Sequence, residues 1–361
     1  MGLFLVSLII LAVTLAVNSC PPSDRAALLA FKEALSEPYL GIFDSWSGTD
    51  CCHNWYGVNC DPTAGRVSDL TLRGESEDPI FEKAGRSGFM TGSLSPSLCQ
   101  LDGLTTLIVA DWKGISGDIP ACITSLSNLG ILDLIGNQVT GQIPADIGKL
   151  SRLTVFNIAD NKISGEIPPS IVKLDILKHL DLSNNKISGE IPADIGKLKM
   201  MSRALLSRNQ LTGSIPCSIA YLRRLADLDL SMNQISGSIP SQLGEMRVLS
   251  TLNLDSNQLS GEIPSTLLSN TGLNIVNLSR NCIEGCIPDV FCSKSYFTTL
   301  DLSYNKLKGK MPKTMSSVRY IGHLDLSHNN LCGPFPASLE AYDHLEAASF
   351  TNNNCLSGSE L

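Results

Sequence analysis

Leu177-Lys178-His179-Leu180-Asp181-Leu182-Ser183-Asn184-Asn185-Lys186-Ile187-Ser188-Gly189-Glu190-Ile191-Pro192 is one turn of a pattern that recurs every 24 residues. Asparagines stand at Asn137, Asn161, Asn185, Asn209, Asn233, Asn257, Asn281, Asn305 and Asn329. Glycines keep step from Gly117 to Gly333, and prolines from Pro120 to Pro336. No insertion breaks that series. Within one period, the alternation around Leu180 and Leu182 reads as a short strand with two side chains inward. Asn185 follows at the turn, where its amide can both donate and accept. Stacked coil upon coil, such asparagines can satisfy backbone groups that the bend leaves unpaired. Gly189 permits a backbone conformation that other residues avoid. Pro192 lacks a backbone donor and suits an irregular outer segment. Ile195 and Leu198, three apart, suggest one short helical turn that completes the core.

A Leu/Asn period of this length marks a leucine-rich-repeat solenoid. The expected fold is an α/β solenoid, a right-handed superhelix of about ten to eleven coils with a parallel concave sheet and disulfide-bonded caps. Strands stacked at about 4.8 Å make that sheet about 50 Å long. A chain of 361 residues would ordinarily suggest two domains. Coils that touch only their neighbours need no central core, so the repeats override that expectation. The expected divisions are a signal peptide at 1–19, a cysteine-rich cap at 20–66, repeats at 67–336 with an irregular insertion at 74–90, and a C-terminal cap at 337–361.

The net charge of -8, with no run of basic residues, argues against a nucleic-acid partner, because phosphate binding needs clustered Lys and Arg. Leu3 to Val17 is a mainly apolar run, too short to span a bilayer comfortably. Val17 and Ser19 supply small residues for cleavage before Cys20, which reads as a secretory signal. A secreted protein with neither a membrane span nor an attached kinase is expected. Twelve cysteines agree with an oxidising compartment and crowd toward the ends of the chain. A solenoid exposes its apolar interior at both ends, and caps there answer that problem.

The Leu-x-Gly-x-Ile-Pro element resembles the plant extracellular subclass of leucine-rich repeats, which includes polygalacturonase inhibitors and receptor-kinase ectodomains. Asp24 to Lys32 looks like that family's capping helix. Trp46, then Asp50-Cys51-Cys52-x-x-Trp55-Tyr56-Gly57-Val58-x-Cys60, looks like its cysteine-tryptophan cap. The resemblance implies bridges Cys20–Cys51 and Cys52–Cys60, and a C-terminal bridge Cys332–Cys355. It implies a protein ligand, such as a receptor kinase or a pathogen wall-degrading enzyme. Cys355-Leu356-Ser357-Gly358 departs from the family's Cys-Leu-Cys-Gly, which puts a second C-terminal bridge in doubt. Arg73 to Phe81, Lys83 to Gly88, Ala110 to Gly114 and Gly322 to Asp325 are similar to a branch of the family named for DNA-damage repair and toleration. That name implies work on DNA, although the chain shows no phosphate loop and no basic face.

Cys99 and Cys122 fall at similar places in adjacent coils and can bridge. Cys282 and Cys286 flank the Asn281–Gly285 turn, so a local bridge is open to them. Cys217 and Cys292 lie three coils apart, about 15 Å at the strand spacing, which exceeds disulfide reach. A zinc site from Cys282, Cys286 and Cys292 lacks a nearby histidine ligand. His179 and His323 share a strand column but lie six coils apart, about 29 Å at that spacing. His323 and His328 sit at opposite ends of one strand segment. No catalytic motif is present, so the expectation is no enzyme, no cofactor and no metal.

Function is expected in the variable positions of the concave face. One column reads Asp133, Asn157, Asp181, Leu205, Asp229, Asn253, Asn277, Asp301, Asp325. It is either an acidic binding stripe or simply the family's usual Leu-Asp-Leu-Ser strand. The flanking columns vary more: His179, Arg203, Asp227 and His323 on one side, and Arg208, Arg280, Tyr304 and His328 on the other. Charged and aromatic variety on a rigid sheet is what a protein-binding face needs. Asn277-Leu278-Ser279 is the only glycosylation sequon, and a glycan there would cover part of the face. The insertion at 74–90 mixes Glu75, Glu77, Asp78, Glu82, Lys83 and Arg86, and reads equally as a recognition loop or a solvated excursion.

Overall fold

A 12-stranded sheet runs the length of the molecule and forms its inner face. The computed structural model describes residues 20–75, 85, 88–334 and 347–357. Residues 1–19, where the signal peptide is expected, most of the insertion, and 335–346 with 358–361 lie outside them. The first pair of strands, Val58–Cys60 and Val67–Arg73, is antiparallel. Every later pair in this sheet is parallel and offset by one coil, as in His179↔Arg203 and Leu180↔Ala204. A second set of short strands lines the far side of the turn, where Lys186–Glu190 pairs with Ser164–Glu166 and Gln210–Thr212. The helical turn expected from Ile195 and Leu198 is a single 3-10 turn, Ile195–Lys197. The inward strand leucines are buried along one continuous core that runs from the first cap to Phe350.

The asparagine column is the seam of the fold. Asn233 Nδ2 donates to the carbonyls of Leu206 (3.0 Å), Leu230 (3.1 Å) and Ser231 (3.1 Å). Its Oδ1 accepts from Leu211 N at 3.0 Å. One amide thus ties its own bend to the preceding coil. The series begins irregularly, because Lys113 stands where an asparagine is called for. Val109, whose carbonyl is capped by Asn137 Nδ2, pairs in register with Leu72. The carbonyl of Leu72 accepts instead from Trp112 Nε1 at 3.0 Å. A buried indole therefore takes over the amide's work at the first coil. Asn137 Oδ1 is buried and has no partner among the described residues, so the ladder of acceptors stops there.

The N-terminal cap closes the apolar end. The helix Pro22–Glu33 turns Ala27, Leu28 and Phe31 inward. Asp24, on the same buried face, accepts from Arg66 Nη2 at 2.7 Å, from Arg66 Nε at 2.9 Å and from Val67 N at 3.0 Å. Trp46 and Trp55 stack with centroids 5.2 Å apart. Each indole N–H donates to a backbone carbonyl at 2.9 Å, Tyr56 and Ser47 respectively. Disulfides join Cys20 to Cys51, Cys52 to Cys60, Cys99 to Cys122 and Cys332 to Cys355.

Cys282 and Cys286 do not bridge, and both thiols are exposed and free. The reason lies in the direction of Cys286. A methyl group placed on Gly309 would fall 2.7 Å from Cys286 Sγ. Cys286 therefore reaches along the superhelix to the next coil, as Glu190 does over Gly213, and not back along its own chain. Cys217 and Cys292 are also free and exposed.

Candidate functional site: the concave face

The column between the strand leucines has a structural task before any other. Asp229 Oδ1 accepts from Ser231 N at 2.9 Å and from Ser231 Oγ at 2.7 Å. Asp181, Asn277 and Asp301 do the same to Ser183, Ser279 and Ser303. Asp325 holds Ser327 N at 2.9 Å. Each side chain closes its own turn with one oxygen. Asp133 and Asp181 are buried, whereas Asp229, Asp301 and Asp325 keep part of their carboxylates in water. Asn277 stands in register between Asn253 and Asp301.

The column one step N-terminal pairs charges across coils. Arg203 Nε lies 3.1 Å from Asp227 Oδ2 on the neighbouring strand. His179 sits one coil earlier, its Nε2 4.0 Å from Asp181 Oδ2. Burial and the Arg203 guanidinium both hold the His179 imidazole below its ordinary pKa of 6.5, and they outweigh the attraction of Asp181. The unfolded chain then binds this proton more readily than the fold does. Stability is therefore complete above about pH 6.5 and declines as pH falls through the lowered value. His179→Gln is expected to shrink the loss of stability between pH 7 and pH 5, measured by urea unfolding at each pH. An equal loss in both proteins would contradict this assignment.

The column on the other side follows the strand and has an unusual backbone. Arg208, Arg280, Tyr304 and His328 all take positive φ, between 53° and 55°. Non-glycine residues there cost of order 1 kcal/mol or more. The fold holds them because Arg280 N and Tyr304 N each donate to a carbonyl of the next coil, Ser303 and Ser327, at 3.0 Å. The result is a stacked ladder. Arg280 Cζ lies 4.3 Å from the Tyr304 ring centroid. Tyr304 and His328 stack at 3.8 Å with an interplanar angle of 11°. Asn352 Nδ2 meets His328 Nε2 at 2.8 Å.

Three participants were not anticipated. Tyr296 and Tyr320 are exposed at the start of their strands and stack at 4.9 Å. Their 24-residue separation was the available signal. Asp255 stands at a turn position that carries serine in most coils. Burial raises its pKa, and repulsion from Asp229 and Asp301 adds to that despite a hydrogen bond from Ser256. Among the described residues no two histidines share a cluster, but His323 comes together with Asp301 and Asp325, with one ligand atom of each within 4.8 Å of the others. Glu75 pairs with Lys113 at 2.6 Å. Glu77, Asp78, Glu82, Lys83 and Arg86 lie outside the described residues.

A regular parallel sheet, an asparagine seam, and a cysteine-tryptophan cap define a leucine-rich-repeat solenoid. Residues 21–61 match the leucine rich repeat N-terminal domain. Residues 152–174, 177–198, 224–246, 248–270, 296–318 and 321–341 match the Leucine Rich Repeat. The chain thus carries a leucine-rich-repeat N-terminal domain followed by leucine-rich repeats. The DNA damage-repair/toleration protein DRT100 of Arabidopsis thaliana is 60% identical over 136 residues, 37% of each chain. A polygalacturonase inhibitor of Vitis vinifera is 37% identical over 140 residues, again 37% of each. These matches thus span little more than a third of the curated relatives' length. The crystal structure of a plant ice-binding protein superposes with a TM-score of 0.69 at 27% identity, covering 95% of this chain and 97% of that one. Among the described residues, no helix is long and apolar enough to cross a membrane.

Proposed function

We propose that this chain is a secreted, non-catalytic recognition protein that binds a protein partner through its concave sheet. The observation that carries this reading is the ladder Arg280–Tyr304–His328, held in a strained backbone and presented on the rim of a rigid sheet. Aromatic and arginine side chains that are already ordered lose little entropy on binding. Tyr296, Tyr320 and the Arg203–Asp227 pair extend the same surface. Four disulfides among the described residues suit an oxidising compartment outside the cell. A glycan on Asn277 would cover the centre of this face.

The test is capture of partners from plant wall extract with the wild type, a Tyr304→Ala/His328→Ala variant, and Tyr221→Ala. Tyr221 is exposed on the helical-turn side, away from the sheet. A partner retained by the wild type should be held at least tenfold less by the concave variant and normally by Tyr221→Ala. Equal retention by all three proteins would move the binding site off the sheet. The likeness to a polygalacturonase inhibitor supports a second reading, in which the partner is a fungal polygalacturonase. A panel of purified fungal enzymes, none of them inhibited, would sink it. The DNA-damage name of the 60%-identical relative supports a third reading, inside the cell. Nuclear accumulation of the tagged chain would favour that reading over both others.

A further inference from the structure

We propose that Asp301, His323 and Asp325 form a binding site for a divalent first-row transition cation on the concave face. Parallel register sets Asp301 opposite Asp325 on adjacent strands and Thr299 opposite His323. Strand alternation puts His323 on the same face as Asp325, two residues on. The three ligand atoms lie within 4.8 Å of one another.

Three observations favour a cation over an ordinary surface cluster. First, the carboxylates are oriented as they are at Asp181 and Asp229, but here two of them meet one imidazole. Asp301 Oδ1 is fixed by Ser303 at 2.9 and 2.7 Å, and Asp325 Oδ1 by Ser327 at 2.9 Å, which leaves one oxygen of each for an ion. Second, like charges directly opposite in a sheet repel, and no ion pair offsets Asp301 or Asp325 among the described residues. Third, the chain contains its own counter-example. His179-Leu180-Asp181 is the same triplet in the same strand register as His323-Leu324-Asp325. There the neighbouring strands bring Arg203 and Asn157 in place of a second carboxylate, and no third ligand joins. One imidazole with two carboxylates suits zinc or manganese better than calcium, which takes oxygen donors alone. The ion's remaining positions would open into the concavity, toward water or a partner's side chain.

The test is titration of Zn2+ into the full-length protein by calorimetry, with the four free thiols alkylated so that cysteine does not compete. One ion should bind per chain. His323→Gln and Asp325→Asn should each weaken it at least tenfold, and His179→Gln should change it less than twofold. Ca2+ should bind at least tenfold more weakly than Zn2+. Absence of saturable Zn2+ binding, binding that survives His323→Gln, or binding lost with His179→Gln would each overturn the assignment. No partner enters this measurement, so its outcome is separable from that of the recognition reading.

Discussion

Replacing Asn233 by alanine is expected to remove about 3 kcal/mol or more of unfolding free energy, since several buried backbone groups lose a partner at about 1–3 kcal/mol apiece. Asn233 is 9% exposed, so water cannot readily replace it. The carbonyls of Leu206 and Leu230 each lose a donor, Ser231 O keeps only Arg208 N, and Leu211 N loses its acceptor. Two of these groups, on Leu206 and Leu211, belong to the preceding coil, so the damage falls on an interface between coils. Asn128→Ala is the control. Asn128 makes its one backbone contact, to Asp102 O at 3.1 Å, on the exposed surface, and its loss should stay within about 0.5 kcal/mol. Urea unfolding followed by circular dichroism measures both. A loss below about 1 kcal/mol for Asn233→Ala would mean that the seam is not a main source of stability.

The second large effect is expected at the opposite kind of site, a single buried charge. Asp24 is fully buried, and its carboxylate is shared between the Arg66 guanidinium and Val67 N. Removing one partner of a buried pair costs about 3–5 kcal/mol. The low end of that range applies here, because the Arg66 side chain is 31% exposed and can turn to water. Asp24→Ala should therefore cost about 3 kcal/mol, and the cost should be local. Hydrogen exchange should accelerate at Ala27, Leu28 and Phe31 while the strand Asp227–Asp229 stays protected. Uniform acceleration along the chain would show that the cap and the coils unfold as one unit.

The two sites also measure what a sequence can disclose. Asn233 was legible because its neighbours at 24-residue intervals repeat the same chemistry, and a bend in every coil needs the same amide. The pairing of Asp24 with Arg66 was not, since it depends on how the first helix lies against the first strand. Trp112 was visible only as a departure, and its indole's use as a substitute amide required the register of Val109 with Leu72. On the concave face, the columns could be written down, but not the backbone that bears them. Positive φ at Arg280, Tyr304 and His328 turns three unrelated residues into one stack. His323 belongs to no histidine or cysteine motif along the chain. Counting back 24 residues from Asp325 to Asp301 would have found its neighbours. Cys282 and Cys286 looked close along the chain, but Cys286 points across coils, which spacing does not encode.

The constant spacing of the coils makes the concave face one scale of a vernier. Its columns advance by about 4.8 Å per strand, whereas same-side residues of an extended peptide advance by about 6.6 Å. The two scales coincide only about once in four strands, so an extended chain laid along the sheet cannot match it step for step. A binding partner must instead touch it at a few isolated points or cross it. The departures at Arg280, Tyr304, His328 and His323 are where such points are supplied.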